Sequence, residues 1–119
     1  MIAGMRPDLD GRVFRSVSNT DNGEVGEQTV FRYRQSGDLV SADYAGGSIV
    51  AGHLIAIMDA GGDLDMRYHH VNAAGALMVG TCRSRLEVLA DGRLRYHESW
   101  RWLSGDGSEG ESIIEEPRG

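Results

Sequence analysis

The sequence predicts an all-β fold, an eight-stranded antiparallel up-and-down meander barrel, and three observations lead to it. Glycine-rich turn signals such as Asn22-Gly23, Gly46-Gly47 and Asp91-Gly92 recur along the whole chain. The runs between these signals alternate apolar and polar residues with a period close to two, which is typical of strands. The only two prolines, Pro7 and Pro117, lie outside these runs. We therefore expect one antiparallel strand between each pair of turns.

The predicted strands cover residues 11–18, 27–35, 38–45, 48–59, 63–72, 75–85, 93–103 and 110–116. Seven consecutive hairpins would leave the first and last strands as unpaired edges, and closure into a barrel removes both edges. A barrel of eight strands has room for packed side chains or for one small ligand. A chain of 119 residues is long enough for one domain, and we expect residues 1–10 to form a loose N-terminal extension.

Alternation assigns the inward faces of the second and third strands and leaves that of the fourth strand open. Strand 27–35 is expected to bury Thr29, Phe31 and Tyr33, and strand 38–45 to bury Val40, Ala42 and Tyr44. Strand 48–59 is apolar on both faces, so its register stays open. A second apolar face on this strand suits a homodimer contact.

The later strands carry the most distinctive inward faces. Strand 63–72 is expected to turn Leu64, Met66, Tyr68 and His70 inward, and strand 75–85 to turn Met78, Gly80 and Cys82 inward. For strand 93–103 the inward set is Leu94, Tyr96, Glu98, Trp100 and Trp102. The burial of two indoles and a phenol decides the orientation of this strand.

Composition narrows the function classes. The chain has 12 basic and 18 acidic residues, a net charge of −6, and a pI of about 5.1, which argues against binding to nucleic acid or to anionic membranes. No apolar run approaches the roughly 20 residues of a membrane span, and residues 1–10 lack a signal-peptide core, so we expect a cytoplasmic protein of bacterial type. All the basic residues are arginines, which excludes lysine-based Schiff-base chemistry.

The candidate ligand-binding residues inside the barrel combine aromatic rings with polar groups: Tyr33, Tyr44, Tyr68, His70, Glu98, Trp100 and Trp102. Tyrosine and tryptophan offer an apolar body and one polar atom, which suits a small, partly apolar ligand. The alternative is that these side chains only fill the barrel. Glu98 and His70 are also candidates for a catalytic acid–base pair in an isomerase or cyclase. Structural partners for Glu98 are the competing interpretation, because a buried carboxylate must be paired, hydrogen-bonded or protonated.

The histidines do not predict a metal centre. The chain has four, and the adjacent His69 and His70 point to opposite faces of one strand. No HExxH spacing occurs, and the lone Cys82 excludes a cysteine-only zinc site. We therefore expect neither a metal ion nor another cofactor.

Several segments together, including Gly52-His53-Leu54-Ile55, Tyr68-His69-His70-Val71-Asn72 and His97-Glu98-Ser99-Trp100, resemble a family of small bacterial proteins that often carry the label N-acetylglutamate synthase. The likeness runs from about Gly11 to Glu116. Acetyl-CoA-dependent synthases of that name resemble the acetyltransferase α/β fold, in which a pyrophosphate loop enters a helix. The sequence predicts neither an α/β fold nor a pyrophosphate loop that enters a helix. The resemblance supplies no catalytic residues for this chain.

The eight-stranded meander is similar to the calycin group, which contains avidins, lipocalins and fatty-acid-binding proteins. Avidin-like proteins place polar residues of the first hairpin and several tryptophans around a ligand. By this resemblance Ser16, Ser18 and Asn19 take the polar part, and Trp100 and Trp102 take the aromatic part. The resemblance implies a small-molecule binding protein.

Overall fold

The computed structural model describes residues 6–118 and shows a closed antiparallel barrel. Its strands are β1 (Val13–Asn19), β2 (Val30–Ser36), β3 (Leu39–Gly46), β4 (Ile49–Met58), β5 (Leu64–Asn72), β6 (Leu77–Val88), β7 (Leu94–Trp102) and β8 (Glu109–Glu115). Each strand pairs with its neighbour in sequence, and β8 pairs with β1 to close the cylinder. The predicted all-β meander barrel is confirmed.

Tight turns between the strands rely on glycine where the backbone demands it. Gly46 and Gly47 both have positive φ, at 117° and 62°, and a Cβ on Gly46 would collide with the carbonyl oxygen of Gln28. Only glycine adopts this backbone without a steric penalty. The Gly46-Gly47 signal in the sequence therefore marks a real reversal between β3 and β4.

The inward faces follow the predicted alternation. The buried residues include Tyr33, Tyr44, Met66, Cys82, Trp100 and Trp102. Tyr68 is half-buried and packs against this core. The interior is therefore lined by the predicted aromatic residues.

β-Bulges set the register where alternation alone does not. In β4 the pairing with β5 shifts between Ile49 and Ala51, so that Val50 and Ala51 are both exposed. From Leu54 onward alternate residues of β4 are buried. The bulge thus resolves the register of strand 48–59, and it leaves Ile55 and Ile57 about half exposed on the outer face, at 50% and 56%.

The N-terminal segment closes one end of the barrel. Leu9 is completely buried, and its backbone N–H donates to Oε1 of Gln35 at 2.8 Å. The Arg6 guanidinium donates to Asp38 at 2.6 Å. The expectation of a loose segment at 1–10 is therefore wrong for residues 6–10, because Leu9 fills the space at the end of the core. Residues 1–5 lie outside the described part of the chain.

Candidate functional site

A cavity lies inside the barrel at the end opposite Leu9. It is lined by Asn19, Gly23, Glu24, Val25, Phe31, Tyr44, Leu54, Met66, Tyr68, His70, Cys82, Glu98, Trp100, Trp102 and Ser112. The segment between β1 and β2, residues 20–29, lies over this end and is called the mouth loop below. The cavity thus has barrel strands for walls and a loop for a cover.

Aromatic rings in the cavity wall lie across glycines on neighbouring strands. The cross-strand pairs are Tyr44 with Gly52, Tyr68 with Gly80, and Trp100 with Gly110. A Cβ on Gly80 would overlap the Tyr68 hydroxyl and phenol ring and lie 2.7 Å from the carbonyl oxygen of Arg101. Because Gly80 has no side chain, the Tyr68 ring has the space to lie flat against the sheet.

Both indoles are tethered near the mouth loop. Nε1 of Trp100 donates to Oδ1 of Asn19 at 3.2 Å, and Nε1 of Trp102 donates to the carbonyl oxygen of Asn22 at 3.1 Å. The Asn19 amide also donates to the carbonyl oxygen of Val25 at 2.9 Å. The loop position and the orientation of the two tryptophans are consequently coupled.

Glu98 forms the polar floor of the cavity. Ser84 on β6 and Ser112 on β8 are its two direct cross-strand neighbours, and their hydroxyls donate to the carboxylate at 3.2 and 3.0 Å. Burial raises the pKa of Glu98 to about 7, although the two serine hydrogen bonds oppose the rise. Near neutral pH this carboxyl group can therefore either donate or accept a hydrogen bond.

His70 lies at the rim of the cavity and is held on both ring nitrogens. Its side chain is 1% exposed, and Nε2 lies 2.8 Å from Oε1 of Glu24 in the mouth loop. The Tyr44 hydroxyl lies 2.9 Å from Nδ1. Because a carboxylate only accepts, Nε2 of His70 is the donor in the contact with Glu24.

Glu98 and His70, the predicted acid–base pair, each form hydrogen bonds to other side chains. Each carboxylate oxygen of Glu98 binds a serine, and the ring nitrogens of His70 face Tyr44 and Glu24. Both side chains line one cavity, but each is held by structural partners. The acid–base pair of Glu98 and His70 stays a prediction, and these hydrogen bonds are the contacts that a catalytic role would have to break.

Three of the predicted ligand residues lie elsewhere, and one of them, Ser16, is buried in β1. A bulge in β1 between Ser16 and Ser18 leaves Ser18 exposed in a groove on the outside of the barrel, whereas Asn19 turns into the cavity. Tyr33 is buried below the cavity against Phe14, with ring centroids 5.1 Å apart. Ser16, Ser18 and Tyr33 are thus not among the lining residues, while the other seven predicted residues are.

The cavity is small, at about 50 Å³. A water molecule needs roughly 10–15 Å³ on this measure, so the space holds a few waters. Ligand pockets in proteins commonly measure a few hundred cubic ångströms or more. Glu24 and Val25 of the mouth loop are among the residues that bound this space. A larger ligand therefore requires the loop to move.

Sequence reasoning missed four polar residues of the site: Glu24, Asn72, Ser84 and Ser112. The serines could have been found from the register, since both lie directly across from Glu98. Glu24 belongs to a loop that carries no periodic signal, so its contact with His70 depends on the tertiary fold.

Among residues 6–118 no cluster of three or more His, Cys, Asp or Glu side chains is arranged to hold a metal ion. The described residues contain no helix, and hence none that could span a bilayer. The loop-to-helix pyrophosphate site of an acetyltransferase is accordingly missing from this part of the chain.

Comparison with known proteins identifies a family for this chain. The family model described as "Avidin-like protein" matches residues 7–117, which is almost the whole described chain. No curated protein matches the sequence.

Proposed function

Because the chain belongs to the avidin-like family, we propose that its barrel binds a small, partly apolar molecule in the cavity beneath the mouth loop. The observation that supports this most strongly is the composition of the cavity. Aromatic rings of Tyr44, Tyr68, Trp100 and Trp102 form its walls, and Glu98 forms its floor. Flat rings around a few convergent polar groups are typical of small-molecule sites.

The buried carboxyl group of Glu98 argues for binding rather than for packing alone. Desolvation of a carboxylate opposes folding, and an apolar side chain at this position would avoid the penalty. Its neighbours Ser84 and Ser112 hold it in place. We infer that Glu98 anchors a polar group of the ligand while the rings contact the apolar part.

Intrinsic tryptophan fluorescence tests the proposal, since both tryptophans of the chain line the cavity. A panel of small aromatic and heteroaromatic metabolites is titrated into the wild type, into Trp102→Phe and into Ser18→Ala. We expect a saturable change in emission with a rise in Tm, weaker binding by Trp102→Phe, and unchanged binding by Ser18→Ala. Saturable binding that Trp102→Phe leaves unchanged would contradict the site, and a panel without any binder would contradict the function.

We also propose that the outer face of β4 forms a homodimer contact. Val50, Ile55 and Ile57 are each at least half exposed, and Leu39 lies across from Ile57 on β3. Charges of both signs flank these residues, for example Asp65 and Arg67 on β5. A second copy related by a twofold axis could place opposite charges against each other, which favours this chain as its own partner.

A further inference from the structure

Glu24 is the one charged side chain that the mouth loop places in the cavity lining. Its two carboxylate oxygens have different partners on β5. Oε1 lies 2.8 Å from Nε2 of His70, and Oε2 accepts from Nδ2 of Asn72 at 3.0 Å. Two donors from one strand therefore hold one carboxylate, with one oxygen each.

These donors are positioned by groups other than Glu24. The Asn72 side-chain oxygen accepts from the backbone N–H groups of Ala74 and Ala76 at 3.1 and 2.9 Å, which leaves the NH₂ group directed toward Glu24. The His70 ring is held from its far side by the Tyr44 hydroxyl at 2.9 Å. The pair of donors, here called the carboxylate seat, therefore belongs to the rigid barrel, whereas its occupant belongs to a loop.

The surroundings of the seat suit an organic anion. The Tyr68 and His70 rings are nearly parallel, with an angle of 14° between them, and Trp102 meets both rings edge-on. These aromatic surfaces would contact an apolar group attached to a carboxylate. An incoming carboxylate that replaces Glu24 leaves the charge at the seat unchanged and releases Glu24 to water, so no buried charge loses its partner.

We propose that the ligand is an organic carboxylate, that its carboxylate group occupies the seat formed by His70 and Asn72, and that Glu24 is an internal competitor for this seat. The proposal rests on the proposed small-molecule function and adds the chemical class of the ligand. Binding then requires displacement of the mouth loop, which also opens the cavity beyond its present volume. The apparent affinity of the wild type is reduced by the fraction of molecules in which Glu24 fills the seat.

Calorimetric titration with benzoate and with its neutral analogue benzamide tests the proposal. The variants are Glu24→Ala, which empties the seat, and Glu27→Ala, which removes the same charge from an exposed position in the same loop. We expect Glu24→Ala to bind benzoate about tenfold or more tightly than the wild type, with the affinity for benzamide changed by less than about threefold. Glu27→Ala is expected to behave as the wild type.

Asn72→Asp supplies the second test, in the Glu24→Ala background. Aspartate keeps the oxygen that accepts from Ala74 and Ala76, but it replaces the NH₂ donor with a second oxygen that repels a carboxylate. We expect this variant to lose the gain for benzoate and to keep its affinity for benzamide. If Glu24→Ala does not fold, Glu24→Gln takes its place, because its amide keeps the shape and presents an NH₂ group to one donor.

The outcomes separate this inference from the proposed function. Equal tightening for benzoate and benzamide in Glu24→Ala would show that the loop only blocks entry, and it would overturn the carboxylate seat while leaving the cavity a binding site. A benzoate gain that persists in Asn72→Asp would also overturn the seat. Absence of binding by both probes to every variant would overturn the seat, and failure of the whole metabolite panel would in addition overturn the proposed function.

Discussion

Glu98 makes stability depend on pH in a direction opposite to that of an ordinary surface carboxylate. Its pKa is about 7 in the folded protein, compared with a normal value of 4.5. Between these two values the folded state binds a proton that the unfolded state has released, so stability falls as pH rises. The contribution is present below about pH 4.5 and is lost by about pH 7, and the difference of 2.5 units corresponds to about 3 kcal/mol.

We therefore expect Glu98→Gln to remove this pH dependence. The free energy of unfolding is measured by urea unfolding for the wild type and for the variant from pH 4.5 to pH 8. Over this range the wild type should lose about 3 kcal/mol of stability relative to the variant. Glu111→Gln, an exposed change on β8, is the matched control and should follow the wild type. A difference between wild type and Glu98→Gln that stays constant with pH would contradict the account.

Two buried tyrosines differ in their hydroxyl partners. The Tyr33 hydroxyl is buried and has no hydrogen-bond partner among the described residues, whereas the Tyr96 hydroxyl donates to the carbonyl oxygen of Gly62 at 2.8 Å. Removal of an unpaired buried hydroxyl is neutral or stabilising, and removal of a paired one destabilises by about 1–2 kcal/mol. In thermal unfolding Tyr33→Phe should therefore have a higher Tm than Tyr96→Phe. The reverse order would contradict the assignment of an unpaired hydroxyl to Tyr33 and a paired one to Tyr96.

Among the strands, the pairing of rings with glycines determines how the cavity wall is built. An alanine at Gly80 would push Tyr68 off the sheet, and overpacking of this kind destabilises by about 1–3 kcal/mol. We expect Gly80→Ala to lower the free energy of unfolding by that amount and to weaken ligand binding, as measured by denaturant unfolding and by calorimetry. Gly26→Ala is the control, because its Cβ would meet no atom within 4 Å. Equal effects of the two substitutions would contradict the packing argument.

Leu9 in the N-terminal segment should contribute to the free energy of unfolding as a buried core leucine does. Leu9 is fully buried, so Leu9→Ala removes packed atoms and is expected to destabilise by about 2–5 kcal/mol in chemical unfolding. Leu77→Ala, at a position that is 65% exposed, should change stability by less than about 0.5 kcal/mol. A similar small effect at Leu9 would mean that the segment does not close the barrel.

The sequence was sufficient to predict the strands and their inward faces because alternation and turn glycines are local signals. Bulges are not visible in such signals. One extra residue in β1 or β4 changes which face of the sheet the following side chains point to, and no particular residue type marks the position. This explains why alternation does not reveal that Ser18 lies outside the cavity, whereas the register of β4 stayed open because both faces of that strand are apolar. Leu9 was missed because a single leucine in an irregular segment carries no periodicity.

For the molecule as a whole, the candidate site was predictable from β-strand residues and not from loop residues. The aromatic and acidic residues of β3, β5 and β7 lie in the cavity as alternation indicated. The position of Glu24 depends on the path of the mouth loop, which periodicity does not determine. Alternation also could not show which groups contact the predicted acid–base pair, which are Ser84 and Ser112 for Glu98 and Glu24 for His70.

The homodimer proposal gives a prediction for the assembled state. Ile57→Glu places a charge on the apolar outer face of β4, whereas Val88→Glu places the same charge at another half-exposed position. Light scattering should show a dimer for the wild type and Val88→Glu and a monomer for Ile57→Glu, because an unpaired charge in an interface is unfavourable. A monomeric wild type at working concentration would contradict the proposal.

Nuclear magnetic resonance of the two indole N–H groups tests the central claim most directly. The chain has only two tryptophans, and both indole nitrogens donate to Asn19 or to Asn22 beside the cavity. Titration of the tightest ligand from the metabolite panel into ¹⁵N-labelled protein should shift both signals with one common saturation curve. Calorimetric binding of that ligand with both indole signals unmoved would place the site elsewhere and contradict the account.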